Sequence, residues 1–573
     1  MPVSVTPDTL CSRRYAPAAL GNGSLSVTLG PEGDQRPAEF CGMTPEIVRA
    51  GFRLDNRIGE LVSFGSFRFG GGLVKTWEQA LDPENGIETS RIVYHDGSTL
   101  ESECFCCFDR DILAIHIRRD TEEEFHFEYE LSGRRMTHGW NGKRDIQYMI
   151  DTMDGSSGVI RLFADQPAWL RRKGNVYAMN VHAREFSIFL CFDCDAEADY
   201  ETLRQETVAQ WNAYHAEMHP LPLEGRLKEL YMMCQYHLRI SSTGWAIPTG
   251  LYRSHWNALY FGFDNYFTFM GLLCSGHAAT AAKIPRFFAS LLPVALGRLN
   301  AEFHRTGAAR FAWETEEHGL ECSPSGFWHD HIFQAGHYTL MCWELFRATG
   351  DMELLRGELF PVMRGMMEWI RQFRLIRAED GSLKAGACTD LERLGPGRVN
   401  PFMTCCSLIA MFEAGAEAAE LLGADAELVP LWKTAARDLR KNLPRGNGRY
   451  LAAEGVEDFS FGLLAGLYPY GILRDDPLQL ETLRIFGAER ENCGNMYHVG
   501  HGVCSWYVCW EALARIRAGE RAAARRLLEE LAEETGCFSE MFEIYERGIR
   551  PWFTTAEGIF VQAVNELFSE EKQ

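Results

Sequence analysis

The sequence predicts a chain of two domains: an N-terminal antiparallel β-sandwich followed by an (α/α)6 barrel, a ring of six helical hairpins. Three observations predict it. Apolar residues alternate with period two from about residue 20 to 195. From Leu227 onward the period becomes 3.6, in long amphipathic runs. The connections between those runs alternate between short and long, so the helical domain has two unlike ends.

In the N-terminal domain, VSFGSFRFGGG, FHFEYELSG and VIRLFADQPAWLRRKGNVYAMNVHAREFSIFLCF turn one side-chain face of each strand inward, and Gly-Ser, Asp-Gly and Gly-Asn pairs separate the runs. No amphipathic helix intervenes, so one large sandwich over residues 1–198 is the economical reading. The segment AEADYETLRQETVAQWNAYHAEM then reads as a helix with Leu203, Val208 and Trp211 on one side, ended by the breaker HPLPLEG. Residues 199–224 are therefore expected to be a helical linker. Residues 225–573 carry about twelve helical segments, among them LKELYMMCQYHLRI, TAAKIPRFFASLLPVALGRL and FQAGHYTLMCWELFRATG. The connections ATGD, LLGAD and IRAGE are short, whereas those between them are long and rich in Gly, aromatic and polar residues. Hairpins closing into a ring put all the long loops at one mouth, where function usually sits. An open solenoid would carry a repeated motif, and none accompanies this period.

Bulk properties narrow the function classes. With 573 residues, 46% hydrophobic and 24% charged, the chain can bury two or more substantial cores. A formal net charge of −22 opposes binding to nucleic acid or to an anionic membrane, because both need a positive surface. The 18 cysteines are scattered without regular spacing and read as buried free thiols rather than a disulfide framework. The segment MPVSVTPDTLCSRRYAPAALGNG lacks the apolar run of a signal peptide, and no later stretch has 18 uninterrupted apolar residues. A cytoplasmic location is the expectation, and a homo-oligomer is compatible with the sequence.

The long loops are GLYRSHWNALYFGFDNYF, GAARFAWETEEHGLECSPSGFWHDH, KAGACTDLERLGPGRVNPFMT, GRYLAAEGVEDFSFG, ENCGNMYHVGHGVCSWYV and GCFSEMFEIYERGIRPWFTTAEG. They concentrate Trp, Tyr, His, Asp and Glu. A sugar presents apolar C–H faces and a rim of hydroxyls, so its site wants aromatic platforms beside groups that accept hydroxyl protons. An oligosaccharide or glycoside is the expected ligand.

These loops also carry a family resemblance. GAARFAWETEEHGLE, followed by a helix closing in ATGD, resembles the glycoside hydrolase family 65 pattern in which a G-A-x-F-P-W-E/Q-S segment precedes a helix ending in A-T-G-D. FGFDNYF resembles that family's F-W-D-T-E segment, and ALGNGSLSV is similar to the L-G-N-G opening of its β-sandwich. The order of the motifs matches over most of the chain, as in a distant relative of family 65 and of the family 15 glucoamylases. Both families combine a β-sandwich with an (α/α)6 barrel.

The resemblance implies the catalytic residues. Both families place a general acid, a Glu, in the loop entering the sixth helix. Here TDLERLGPGRVNPFMT resembles the phosphorylases' T-G-P-x-E-Y segment, which makes Glu392 the candidate acid, with Asp390 the alternative because the offset from Thr389 differs by one. In glucoamylases the base is a Glu after the eleventh helix, followed by a Trp-containing last helix. GCFSEMFEIYERGIRPWFTTAEGIF holds the same ordinal place, so Glu540 is the candidate base, Glu543 its local alternative, and Trp552 the matching aromatic. Two carboxyls suit glycosidic cleavage: one protonates the departing oxygen while the other deprotonates water on the opposite face of the sugar, at about 6.5–9.5 Å for inversion. Substrate positioning falls by resemblance to Asp264, with Trp313 and Glu314 beside it. Trp256, Trp328 and Tyr497 are candidate stacking walls, although helix ends also bury aromatics merely to close a core.

Four histidines, His329 and His331 in WHDH and His498 and His501 in MYHVGH, raise a metal hypothesis, but no local H-x-x-x-H spacing fixes them. His329 and His498 are better read as donors to sugar hydroxyls, and no metal or cofactor is implied. Phosphorolysis competes with hydrolysis. The phosphorylases' phosphate loop has an H-R-x-S-L-S-S type sequence, whereas NMYHVGHGVCSWY keeps the histidines but lacks the Arg and the serine pair. Hydrolysis is the expected reaction. A polysaccharide lyase or sugar epimerase would use His337, Tyr338 and Tyr497 as proton carriers and line its cleft with cations, of which these loops carry few, chiefly Arg253, Arg393 and Arg398. A non-catalytic sugar-binding protein is the remaining alternative.

Overall fold

The computed structural model of the chain describes residues 2–11, 14–54, 59–151, 156–196, 199–253, 258–304, 307–391, 394–489, 498–499, 502–545 and 548–569. Contacts group the chain into two compact units, residues 1–258 with 535–554, and residues 259–534 with 555–573.

The first unit is built on antiparallel sheets. Nine strands pair in the order Val3–Val5, Val74–Asp82, Ile87–Tyr94, Thr99–Cys106, Ile112–Arg119, Glu185–Phe192, Ser156–Ala164, Asp145–Ile150 and Met136–Trp140. One four-stranded sheet runs Ala168–Lys173, Val176–Val181, Phe125–Glu130, Ser66–Phe69, and another runs Ala18–Gly21, Leu25–Leu29, Ile47–Arg53, Leu61–Ser63. The period-two pattern sets the inward faces: Phe125, Phe127 and Tyr129 are buried on one strand, and Ile146, Tyr148 and Ile150 on another. One hydrophobic core draws on all three sheets through Val27, Phe67, Phe127, Ile115 and Leu190.

The segment expected to be a linker is a docked helix. Asp199 caps α1 (Tyr200–Ala216) by accepting from the Thr202 N–H at 2.9 Å. Leu203 then packs with Phe105, Phe189 and Cys191, while Trp211 stands edge-on to Phe108 at 5.1 Å. By contact, α1 and α2 (Gly225–Ile240) both belong to the first unit, as does the late segment 535–554. This grouping departs from the division expected at residues 199 and 225, because aromatic burial on the sheet draws these helices to it.

The second unit is helical: α3 (Gly262–Ser275), α4 (Ala278–Ser290), α5 (Leu292–Phe303), α6 (Gln334–Thr349), α7 (Met352–Leu354), α8 (Phe360–Phe373), α9 (Phe402–Leu422), α10 (Val429–Lys441), α11 (Pro477–Glu489), α12 (Ser505–Arg517), α13 (Arg521–Glu533) and α14 (Thr554–Phe568). Two kinds of helix alternate. Helices α3, α9 and α12 are buried on nearly every side, whereas α10 and α13 bury one stripe, such as Trp432, Ala435, Ala436 and Leu439, and leave the other polar. The ATGD connection works as its residues dictate. Gly350 adopts φ 65° and ends α6, and Asp351 caps α7 by accepting from the N–H groups of Glu353 and Leu354.

The buried helices touch in sequence. Helix α3 packs on α6 and α6 on α9, and the turn Phe461–Leu464 packs on both α9 and α12. Arg517 of α12 pairs with Glu566 of α14 at 3.0 Å. Helix α14 meets α3 at a crossing too close for side chains: a Cβ on Gly271 would lie 2.4 Å from the Gly558 carbonyl oxygen. Residues 278–301 are apolar enough in length and composition to cross a membrane. In the fold, Phe287 packs on Tyr260 and Phe288 on Tyr338.

Candidate active site

Three loops of the second unit meet around an aromatic cluster. The strand Tyr260–Phe261, at the start of α3, pairs with Glu314–Thr315, which brings the Asp264 turn beside the F-A-W-E segment. Trp313 is 6% exposed and stacks on His331 with ring centroids 4.2 Å apart. Trp328, half-exposed on the short helix Phe327–Asp330, stacks on His331 at 5.4 Å, and Phe263 stacks on Trp313 at 6.2 Å. His331 bridges in parallel to Thr389; the Thr389 N–H donates to the Asp330 carbonyl and its hydroxyl to the Phe327 carbonyl, both at 3.0 Å. The T-D-L-E segment is thus fastened to the aromatic cluster through its first residue.

A charged network braces these loops from behind. Glu321 accepts two hydrogen bonds from Arg310, at 2.8 and 2.9 Å, and lies 3.2 Å from His329 Nε2. Burial opposes its ionisation, but Arg310, His329 and Arg298 outweigh that and hold the carboxyl below the usual range. His329, expected to meet a sugar, therefore faces Glu321. Asp330 accepts from Arg374 at 3.0 Å.

His331 is the ring that sequence reasoning undervalued, naming it only for metal binding. Its Nδ1 lies 3.3 Å from the Trp328 carbonyl oxygen, while Nε2 is buried with no hydrogen-bond partner. Burial pushes its pKa down to about 4, so the ring is neutral near pH 7. With Nδ1–H donating to the carbonyl, Nε2 is an acceptor suited to a ligand hydroxyl. Its place three residues after Trp328, in W-x-x-H, was the available signal. Among the described residues, no group of three or more His, Cys, Asp or Glu side chains is placed to hold a metal ion.

The carboxyls divide by environment. Asp264 is half-buried and accepts from the Thr555 hydroxyl at 2.6 Å; Glu314 is half-buried on its short strand. Asp390 is buried, and its Oδ1 accepts from the Thr404 N–H at 3.1 Å and the Thr404 hydroxyl at 2.6 Å. It caps the first turn of α9 from a neighbouring loop. Burial lifts its pKa to about 6 against those hydrogen bonds. These contacts occupy Asp390 structurally, which counts against it as the acid. Glu392 lies outside the described residues, as do Trp256, Tyr497, Arg393 and His501, and for His498 only the backbone strand His498–Val499 is described.

Residues 540 and 552 sit in the first unit. Glu540 is 2% exposed and accepts from the Phe538 N–H at 2.8 Å. Its carboxylate lies under Gly536, where a Cβ would be 1.8 Å from Oε1, so it staples its own loop. Glu543, on the strand Phe542–Tyr545, is half-buried. Trp552 is 0% exposed, packs on His237 at 5.0 Å and donates its indole N–H to the Pro17 carbonyl at 3.0 Å. The expectation of a ligand-facing Trp552 is corrected: the ring closes a core.

His337 and Tyr338, the proton carriers of the lyase alternative, are also buried. His337 stacks on Tyr266 at 4.8 Å and on Tyr470 at 5.5 Å, and burial pushes its pKa down to about 3. The Tyr338 hydroxyl donates to the Ala312 carbonyl at 3.3 Å. Arg253 is committed to Glu46 and Glu60, and Arg398 donates to the Leu394 carbonyl.

No protein-family profile matches the sequence, and no curated protein matches it. Solved structures do. The chain is similar to a bacterial glucoamylase complexed with acarbose, at 13% identity and TM-score 0.63, covering 97% of this chain and 95% of that one. It is also similar to a candidate kojibiose phosphorylase from the human microbiome, at 10% identity and TM-score 0.69, covering 98% and 88%. Over nearly its whole length the chain shares the fold of these two enzymes.

Proposed function

We propose that the chain is a carbohydrate-active enzyme: a glycoside hydrolase that cleaves an oligosaccharide or glycoside with inversion, at the mouth of a six-hairpin barrel. Barrel closure is supported by the run of contacts from α3 through α6, α9, Phe461–Leu464, α12 and α14 back to α3. One observation carries the functional reading. The segment leading to Glu392 is fastened by Thr389 to the wall of Trp313, His331 and Trp328, which supports an acid on that loop acting beside aromatic platforms.

In this reading Glu392 is the general acid, Asp264 and Glu314 hold hydroxyls at the cleaved end, and His331 accepts from another hydroxyl. For the base, the resemblance gives Glu540 as the first assignment and Glu543, the more exposed of the two, as its alternative. A base must reach water, so the burial of Glu540 makes the comparison of their Gln variants decisive. Hydrolysis is favoured over phosphorolysis because NMYHVGHGVCSWY lacks the Arg and serine pair that would hold phosphate. The burial of His337 and Tyr338 speaks against a lyase. The test is turnover of α- and β-linked oligosaccharides with and without phosphate. Free sugar in phosphate-free buffer supports the reading; sugar phosphate formed only with added phosphate replaces it with phosphorolysis.

A further inference from the structure

The first unit holds a C-x-x-C segment that the proposed function does not use: Cys191, Phe192, Asp193 and Cys194. Cys191 lies near the end of the strand Glu185–Phe192, buried beneath α1 with Phe105, Cys107, Phe189 and Leu203. Asp193 turns the chain with a φ of 58°, and Cys194 follows it, half-exposed. The turn is held firmly. The Asp193 carboxylate accepts from Arg49 and the Tyr148 hydroxyl, each at 2.6 Å, and from the Val159 N–H at 2.7 Å. Arg161 donates to the Cys194 carbonyl at 2.5 Å. Cys194 packs against the cluster that buries Cys191, and its Sγ lies 3.5 Å from the Asp111 carbonyl oxygen.

We propose that Cys194 and Cys191 form a reversible dithiol–disulfide site that reacts with low-molecular-weight disulfides. Cys194 is the accessible nucleophile and Cys191 the resolving thiol. The Cys194 thiolate attacks one sulfur of the small disulfide, forming a mixed disulfide and expelling one small thiolate. Cys191, as thiolate, then attacks the Cys194 sulfur and expels the second. The protein loses two electrons and the small disulfide gains them, and the two cysteine protons end on the two released small thiols. The hydrogen bond from Cys191 lowers the Cys194 pKa, whereas burial pushes Cys41 up to about 11 and Cys274 to about 12, so those two half-exposed cysteines remain protonated thiols.

The test treats the full chain with oxidised glutathione, quenches by alkylation and maps the cysteines by peptide mass. Wild type should acquire a Cys191–Cys194 disulfide without retained glutathione, reversed by dithiothreitol, and Cys194 should react about tenfold or more faster than Cys41 and Cys274. Cys191→Ser should retain one glutathione on Cys194, and Cys194→Ser should leave Cys191 unmodified. Wild-type protein that keeps glutathione on Cys194, or that reacts equally fast at Cys41 and Cys274, overturns the proposal without reference to either variant.

Discussion

The loops around Trp313 and the segment 535–554 are composed alike, both mixing Trp, Phe and Glu, yet the structure treats them differently. At Trp313 the aromatics stack in a row with Trp328 half-exposed, and a buried ring nitrogen of His331 has no protein partner. In 535–554 a Trp and a Glu are instead committed to protein partners. Trp552 gives its N–H to Pro17, and Glu540 takes the Phe538 N–H under Gly536. A polar atom buried without a partner is costly, so folds keep one mainly where a ligand or water supplies it. Composition draws attention to both segments; hydrogen-bond satisfaction separates the His331 ring, whose Nε2 has no hydrogen-bond partner, from the Trp552 indole, whose N–H is taken.

The sharpest break of this contrast comes from the acid. Glu392→Gln should lower turnover about 10²–10⁴-fold while circular dichroism stays unchanged, because the amide cannot give up a proton to the leaving oxygen. Trp552→Ala tests the other side. It should destabilise the protein by about 3–5 kcal/mol in denaturant titrations, with KM of the remaining folded enzyme unchanged. A raised KM with unaltered stability would place Trp552 in the site after all.

Asp390 gives a smaller, pH-linked effect. Its folded pKa of about 6 lies above the ordinary 3.8, so the folded state holds this proton more tightly than the unfolded state. Its contribution is therefore unpenalised below about pH 4 and declines as pH rises to 6, where ionisation costs about 3 kcal/mol. Asp390→Asn should remove that decline and remain active, provided the amide oxygen still accepts from Thr404. Denaturation at pH 4.5 to 7.5 reads the slope, and loss of turnover would return Asp390 to the role of acid. The smallest effect belongs to Trp328→Ala. Losing one platform should raise KM roughly three- to tenfold with kcat nearly constant, from about 0.5–1.5 kcal/mol of stacking.

Much of the fold was legible in the sequence because periodicity is a local signal. Phe125, Phe127 and Tyr129 alternate as a half-buried strand must, and Gly350 with Asp351 marks a helix end by backbone geometry and capping. Of the aromatic cluster, only the rings that single loops supply, Trp313 and Trp328, stood out in the sequence. The docking of α1 on Phe105 and the committed N–H of Trp552 depend on partners about 100 and more than 500 residues away, which no local pattern encodes. Asp390 stayed an alternative because its motif offset from Thr389 differs by one, and its helix-capping partner Thr404, 14 residues distant on another element, was not legible.

The central claim is that the loop fastened to the aromatic wall carries the acid of an inverting hydrolase. Proton NMR of the products released from α- and β-linked oligosaccharides, in phosphate-free buffer, tests it most directly when wild type and Glu392→Gln are run side by side. The account predicts that wild type first releases sugar of inverted anomeric configuration and that the variant releases almost none. Retained configuration, or a variant as active as wild type, would contradict it.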